Sequence, residues 1–189
     1  MADQKTTQPS TTPLSETQQG PLTALNLMGF IESVREQLKP PVGNANIYND
    51  GGFMVTVVAG PNGREDYHID PREEFFYQLQ GDITLKIVED GVFRDLHIRE
   101  GEVFLLPPNV PHSPQRPAGT LGLVIEYARL PEEHDGLRWY CSNCGEVLFE
   151  DWFHLTDLTT QLQPVFDAFY GSEDKRTCAA CGHVHPPRA

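Results

Sequence analysis

Apolar and polar residues alternate over short runs through the middle of the chain. Ile83, Leu85 and Ile87 occupy every second position, which is the period of a strand that buries one face. Strand-like runs also occupy residues 53–58, 75–79, 93–98, 102–106, 112–116 and 121–127. Asp90-Gly91 is a hairpin signal between two of these runs. About eight short strands with tight turns and no helices between them predict an all-β barrel or double-sheet roll.

Both ends of the chain depart from this pattern. Apolar residues recur at helical spacing from residue 27 to residue 38, after Asn26 as a candidate N-cap, and Lys39-Pro40-Pro41 would end this helix. We predict a stiff connecting loop over residues 40–44, which could border a pocket. A second helical pattern covers Leu162 to Phe169. Residues 1–22 are polar and rich in Ser, Thr, Gln and Pro, which predicts a disordered arm.

Composition and charge narrow the function classes. The chain has 189 residues, enough for one sizeable domain and a small appendage. Its formal net charge of −13 argues against nucleic-acid binding, because phosphate contacts need a basic surface. There is no apolar run of about 18 residues and no apolar segment at the start typical of a secretory signal. We therefore expect no membrane span and a cytoplasmic location.

Two imidazoles and one carboxylate form the first candidate metal site. His68 and Glu74 are separated by an even number of residues, so on continuous strand geometry they would point to the same face. His112 follows Pro107-Pro108, which would end the preceding strand, so His112 lies in a later strand that the fold must bring to the other two residues. A lone histidine on a strand is more often a surface residue, but Glu74 runs into Phe75-Phe76-Tyr77, which a surface strand rarely carries. Two histidines and one carboxylate are the ligand set of a non-haem Fe(II) site with open positions.

All four cysteines of the chain lie near its C-terminus, in two C-x-x-C-G motifs. Cys141 and Cys144 form the first pair, and Cys178 and Cys181 form the second. Disulfides or a redox pair are the competing interpretations, but disulfides are rare in cytoplasmic chains. Two such pairs favour one tetrahedral metal ion, zinc or iron, bound by four thiolates with no open position. We therefore predict a structural site, with His183 and His185 beside it but not needed as ligands.

These motifs together resemble a known family. The stretch from His68 to Gly81 fits the first cupin motif, with Asp70 where a second histidine is usual. The stretch from Gly101 to His112 fits the second motif, with Asn109 where glycine is usual. A cupin metal site followed by a rubredoxin-like four-cysteine tail is a rare combination. With the segments 39–44, 66–68, 73–78, 112–117 and 172–176, it resembles the bacterial 3-hydroxyanthranilate 3,4-dioxygenases from about Asn26 to the C-terminus.

The resemblance implies a fold and a reaction. We expect a cupin barrel with an N-terminal helix at residues 23–135 and a rubredoxin-like segment at residues 136–189, after the arm at residues 1–22. The reaction would be extradiol-type opening of the 3-hydroxyanthranilate ring by O2 to give 2-amino-3-carboxymuconate semialdehyde, which cyclises to quinolinate. The pathway that the reaction serves stays open. It could be tryptophan catabolism by the kynurenine pathway, quinolinate and NAD biosynthesis, or nitroaromatic degradation. The family also suggests a homodimer.

The resemblance also assigns roles to residues. A catalytic Fe(II) would be held by His68, Glu74 and His112, and a second iron or zinc ion by Cys141, Cys144, Cys178 and Cys181. Arg116 would pair with the substrate carboxylate, because a guanidinium matches a carboxylate with two parallel hydrogen bonds. Glu126 would contact the substrate amine or hydroxyl and move its proton, and Glu74 would also contact the substrate. Arg64 would lie on the O2 side, and Asn44 would border the mouth.

Two alternatives stay open at this stage. The first is a related dioxygenase that acts on another aminophenol or a catechol. The second is a cupin without catalysis that binds a small acid as a sensor or store. Tight ligand binding without oxygen consumption would distinguish the second alternative from any dioxygenase.

Overall fold

The computed structural model describes residues 23–39, 43–49, 51–157 and 160–187; the predicted arm at residues 1–22 lies outside them. The described part contains these elements: α1 (Leu27–Ser33), β1 (Gly43–Tyr48), β2 (Phe53–Ala59), β3 (Tyr67–Ile69), β4 (Glu74–Gln80), β5 (Ile83–Glu89), β6 (Val92–Ile98), β7 (Val103–Leu106), β8 (His112–Gln115), β9 (Leu121–Tyr127), β10 (Asp135–Tyr140), β11 (Val147–Phe153), α2 (Leu162–Tyr170) and α3 (Glu173–Arg176). The all-β prediction is therefore confirmed.

The strands form two antiparallel sheets. One has the order β1-β2-β9-β4-β7 and the other the order β11-β10-β3-β8-β5-β6. Inward-facing residues of both sheets form the core, which comprises Val58, Phe76, Ile83, Leu85, Ile87, Ile98, Leu106 and Val124. This double-sheet arrangement is the predicted roll, and it lets side chains from opposite sheets meet in its interior.

Two turns have the backbone conformation that their sequences predict. Asp90 and Gly91 both adopt positive φ angles, of 51° and 77°, and Glu89 pairs with Val92. Positive φ at both central residues is what a tight two-residue hairpin requires. Asn109 also has a positive φ, of 61°, which explains how asparagine can replace the usual glycine there.

The N-terminal helix is shorter than its apolar pattern predicts. The Asn26 side chain accepts a hydrogen bond from the Gly29 amide, so the predicted N-cap is confirmed. The helix ends at Ser33 instead of near Leu38 because the chain continues in tighter turns, such as Gln37 N–H to the Val34 carbonyl. The prediction that the loop extends to residue 44 is also wrong, because Gly43 and Asn44 pair with β2.

The C-terminal part extends the second sheet and adds a core of its own. Strand β10 pairs with β3 on one side and β11 on the other. Helix α2 packs on this hairpin, with Phe169 stacked on Trp139 at 4.4 Å between ring centroids. The helix predicted from Leu162 is confirmed, whereas the hairpin was not predicted. In the described part of the chain, no helix is long and apolar enough to cross a bilayer.

Candidate active site

The site is built where the two sheets face each other. His68 on β3 and His112 on β8 are register partners in one sheet, and Glu74 begins β4 in the other. Glu74 Oε1 lies 3.1 Å from His68 Nδ1 and 3.0 Å from His112 Nε2. All three side chains are buried. The fold therefore brings together the three predicted ligands. The predicted route was wrong for His68 and Glu74, because they do not share a continuous strand but face each other from opposite sheets.

The donor set fits a cation. His112 Nδ1 lies 3.0 Å from the Val110 carbonyl, so its proton is placed there and its Nε2 lone pair faces Glu74. His68 Nε2 lies 2.7 Å from Asp135 Oδ2, which likewise leaves Nδ1 free to face Glu74. Glu74 Oε1 is buried and has no hydrogen-bond donor among the residues that the structure describes. Three electron-pair donors within 4.8 Å of one another suit a metal ion.

Asn44, Arg64, Arg116 and Glu126 line a cavity over the three candidate ligands. Val58, Phe76 and Val124 form its apolar walls, and Thr56 also lines it. The cavity has two arginines and an acidic floor, so it offers positions for both an anionic group and a hydrogen-bond donor of a ligand. Every residue predicted for the catalytic site therefore lines one cavity, while their individual roles stay predictions.

Arg116 is a buried cation held by two side chains that the sequence reasoning missed. Its Nη1 donates to Gln78 Oε1 at 3.3 Å, and its backbone amide donates to Asn62 Oδ1 at 2.9 Å. Burial and the nearby Arg64 lower the Arg116 pKa to about 10, against the opposing effect of Glu74. The guanidinium is still charged at neutral pH, so it can pair with a carboxylate.

Arg64 and Glu126 are both engaged by other side chains. Arg64 forms an ion pair with the buried Asp66, and Arg129 Nη2 donates to Glu126 Oε2 at 2.8 Å. Burial and the neighbouring Glu74 carboxylate raise the Glu126 pKa to about 7, although Arg129 opposes this. Arg64 therefore keeps its charge inside the cavity wall, where an unpaired cation would be costly to bury.

Sequence reasoning also missed Asp135 and Arg129, which are buried behind His68 and Glu126. Nothing in the pattern distinguishes them, because Asp135 follows the acidic stretch Glu132-Glu133 and looks like a surface residue. Gln78, in contrast, could have been predicted from the sequence pattern. It follows Glu74 and Phe76 at even spacing on β4 and so faces the same interior.

The four cysteines converge in a second cluster. Cys141 Sγ lies 3.6 Å from Cys181 Sγ, and Cys144 Sγ lies 3.6 Å from Cys178 Sγ. Sulfurs in a tetrahedral zinc site are separated by about 3.8 Å, given Zn–S bonds of about 2.3 Å. All four cysteines are free thiols, so the disulfide interpretation is not supported.

Each C-x-x-C-G motif forms a tight turn around this cluster. The Gly145 amide donates to the Cys141 carbonyl, and the Gly182 amide donates to the Cys178 carbonyl, both at 2.8 Å. The two glycines have positive φ angles, of 79° and 73°. Glycine adopts this conformation without strain, so both sulfurs of a pair can point to one ion.

A buried two-histidine, one-glutamate set inside a double-sheet barrel defines a metal-dependent enzyme of the cupin class. Comparison with known proteins makes this assignment specific. The sequence profile of the family described as 3-hydroxyanthranilic acid dioxygenase matches residues 21–170. The chain belongs to this family.

Individual relatives agree over nearly their whole length. A 3-hydroxyanthranilate 3,4-dioxygenase of Xanthomonas oryzae pv. oryzae is 56% identical over 162 residues, which are 86% of this chain and 92% of that protein. A protein of the same name from Jannaschia sp. is 54% identical over 166 residues, which are 87% of this chain and 92% of that protein.

Among solved structures, this chain is similar to a cupin-2 domain containing protein from Shewanella frigidimarina. The alignment covers 51% of this chain and 91% of that protein's chain. Its TM-score is 0.43 and its sequence identity 14%. The family assignment rests on the sequence relatives.

Proposed function

We propose that this chain opens the ring of 3-hydroxyanthranilate with O2 and forms 2-amino-3-carboxymuconate semialdehyde. Membership of the family supports the substrate and the reaction class. The observation that carries the proposal is the buried cluster of His68, Glu74 and His112 beneath a cavity that also contains Arg116. The cavity therefore contains three atoms that could bind a metal ion and a guanidinium that could pair with the substrate carboxylate.

His68, Glu74 and His112 would hold Fe(II), because two imidazoles and one carboxylate leave positions open for further ligands. The ion would supply the redox chemistry that joins an electron-rich ring to O2. The protein's own contribution is placement. Phe76 and Val124 wall the cavity and limit the water beside the site.

Arg116 would bind the substrate carboxylate with two parallel hydrogen bonds. Its bond to Gln78 orients the guanidinium, and Asn62 holds its backbone amide. This would set which ring edge lies over the candidate ligands. Glu126 would accept a hydrogen bond from the amine or hydroxyl and take up its proton. Arg64 would stabilise negative charge on the oxygen side, and Asn44 would border the entrance.

The assignment of the substrate can be tested with matched ligands. 3-Hydroxyanthranilate, 2-aminophenol and catechol differ in the carboxylate and in one ring substituent. We expect kcat/KM to be highest for 3-hydroxyanthranilate by about 30-fold or more, since an unpaired buried Arg116 costs at least about 2 kcal/mol. Comparable kcat/KM values for all three would contradict the assignment. Binding without oxygen uptake would indicate a sensor.

The four cysteines would hold zinc or iron as a structural ion, which adds to the stability that the small core around Trp139 and Phe169 provides. We expect Cys144→Ser to lose this ion and to make residues 136–189 more sensitive to proteolysis. Metal bound by His68, Glu74 and His112 would remain. Ser142→Ala in the same turn is the control, and unchanged metal content in Cys144→Ser would contradict the four-thiolate site.

Cytoplasmic location and the division at residues 22 and 135 belong to this proposal. Cysteines that form no disulfide and could bind a metal ion as thiolates suit a reducing compartment. Strand β10, where the second boundary falls, connects the barrel sheet to the C-terminal hairpin.

We also propose that the protein forms a homodimer through the outer face of the five-stranded sheet. Antiparallel sheets usually turn one polar face to water, but here Phe75 pairs with both Leu105 and Ile125, and Phe53 pairs with Tyr127. Leu105 is 57% exposed and Phe53 is 51% exposed. This face is largely apolar, with Glu73 and Arg72 beside it. In a chain with a net charge of −13, two copies would repel each other least through such a face.

A single lysine on this face tests the dimer. We expect Leu105→Lys to give a monomer by light scattering after size exclusion, because two copies would bury like charges against apolar surface. Val92→Lys is the matched control, since Val92 is 59% exposed and lies in the other sheet. A wild-type protein that is already monomeric would refute this part of the proposal.

A further inference from the structure

A buried arginine behind the candidate metal site contacts three carboxylates. The Arg129 side chain is 0% exposed, and its Nη2 lies 2.8 Å from Asp70 Oδ2 and 2.8 Å from Glu126 Oε2. It also grips Asp135 with two hydrogen bonds, from Nε to Oδ1 at 2.8 Å and from Nη2 to Oδ2 at 2.5 Å. Two parallel bonds fix the plane of a carboxylate more firmly than one.

Asp135 connects this arginine to a candidate metal ligand. Its Oδ2 lies 2.7 Å from His68 Nε2, and its side chain is 0% exposed. A carboxylate accepts hydrogen bonds only, so the imidazole proton must lie on Nε2. His68 Nδ1 lies 3.1 Å from Glu74 Oε1, so Nδ1 is the nitrogen that would bind the metal. A proton on Nδ1 would prevent that nitrogen from binding a metal.

We propose that Asp135 and Arg129 are positioning residues of the metal site. Asp135 holds His68 in the tautomer and orientation that bind metal, and Arg129 fixes Asp135 in place. The same guanidinium also contacts Glu126, so one arginine supports both the metal site and the substrate site. This inference rests on the proposed function only in that His68, Glu74 and His112 hold a metal ion.

The charges support this arrangement over a simple structural ion pair. Asp70, Glu126 and Asp135 are buried against one guanidinium, and Glu74 lies within 4.8 Å of Asp70 and Glu126. A divalent ion beside these carboxyl groups would offset part of their charge. An ion pair that served only to join β9 and β10 would not need an imidazole as its third member. Carboxylates that orient metal-binding histidines typically change metal affinity 10- to 100-fold when they are replaced.

The test is metal affinity without substrate or oxygen. Asp135→Asn keeps the size of the side chain but removes its charge and can present an N–H to His68. We expect the affinity of the apoprotein for Co(II) at the histidine site to fall about 10- to 100-fold, measured against a competing chelator. Thiolate absorption bands report the four-cysteine site separately, and its affinity is expected to stay unchanged. Asp95→Asn, on the exposed strand β6, is the charge-matched control.

A second pair of variants protects the test against misfolding. Arg129→Lys keeps the charge without the two parallel bonds, and Arg129→Met removes both. We expect Co(II) affinity to decrease in the order wild type, Arg129→Lys, Arg129→Met. Wild-type Co(II) affinity in Asp135→Asn, with only a lower midpoint of urea unfolding, would show a structural ion pair and overturn the inference. If the protein proved not to cleave the ring, this test would still be valid, because it measures metal binding alone.

Discussion

Replacing His112 by alanine is expected to abolish turnover and to lower metal affinity at the catalytic site by more than about 100-fold. The variant removes one of three protein ligands and leaves Glu74 Oε1 without its neighbour at 3.0 Å. Metal content measured after dialysis should fall by one equivalent, while the ion at the four cysteines remains. His112 is buried, so the folded fraction should be checked by circular dichroism.

His97→Ala is the matched control for this experiment. His97 is exposed on β6 and its Nδ1 contacts only Thr84 Oγ1 among the hydrogen bonds of its ring that the structure describes. It should keep wild-type metal content and turnover. A His112→Ala protein that still binds two equivalents of metal would mean that the catalytic ion lies elsewhere.

Arg116→Ala should raise KM for 3-hydroxyanthranilate by about 30-fold or more, with a smaller change in kcat. The guanidinium is buried and its pKa is about 10, so it is charged at neutral pH and can pair with the carboxylate. Loss of one partner of a buried charge pair costs about 2–5 kcal/mol, and 2 kcal/mol corresponds to about 30-fold. Steady-state oxygen uptake against substrate concentration gives both constants.

The carboxylate of the substrate provides the control for Arg116→Ala. With 2-aminophenol, which lacks this group, wild type and variant should have similar KM values. Arg116→Lys should lie between wild type and alanine for 3-hydroxyanthranilate, because lysine keeps the charge but not the planar pair of donors. Unchanged affinity of Arg116→Ala for 3-hydroxyanthranilate would show that the carboxylate binds elsewhere.

The all-β fold and the candidate metal ligands could be predicted because their signals are local. Alternation with period two marks strands such as β5, and the residue types of His68, Glu74 and His112 mark them as metal ligands. The assumption that His68 and Glu74 lie on one continuous strand was wrong, because β3 ends at Ile69 and the two residues lie in opposite sheets. The convergence of the four cysteines follows from their paired spacing. In each case, the residue type already restricts its chemistry.

The supporting residues could not be predicted because their role arises only from tertiary contacts. Asp135 and His68 are separated by 67 positions, yet their side chains lie 2.7 Å apart. Arg129 follows β9 and has no periodic pattern that would indicate burial. The α1 helix was predicted too long for the opposite reason, since its apolar spacing continues through residues that form tighter turns.

The central claim is tested most directly by a single turnover of the iron-loaded protein. The protein is loaded with Fe(II) and mixed with 3-hydroxyanthranilate without oxygen, and oxygen is then admitted. We predict uptake of one O2 per substrate and a transient near-ultraviolet band of the semialdehyde that decays as quinolinate forms. Substrate binding without oxygen uptake or ring opening would contradict the account and leave a protein that binds a small acid.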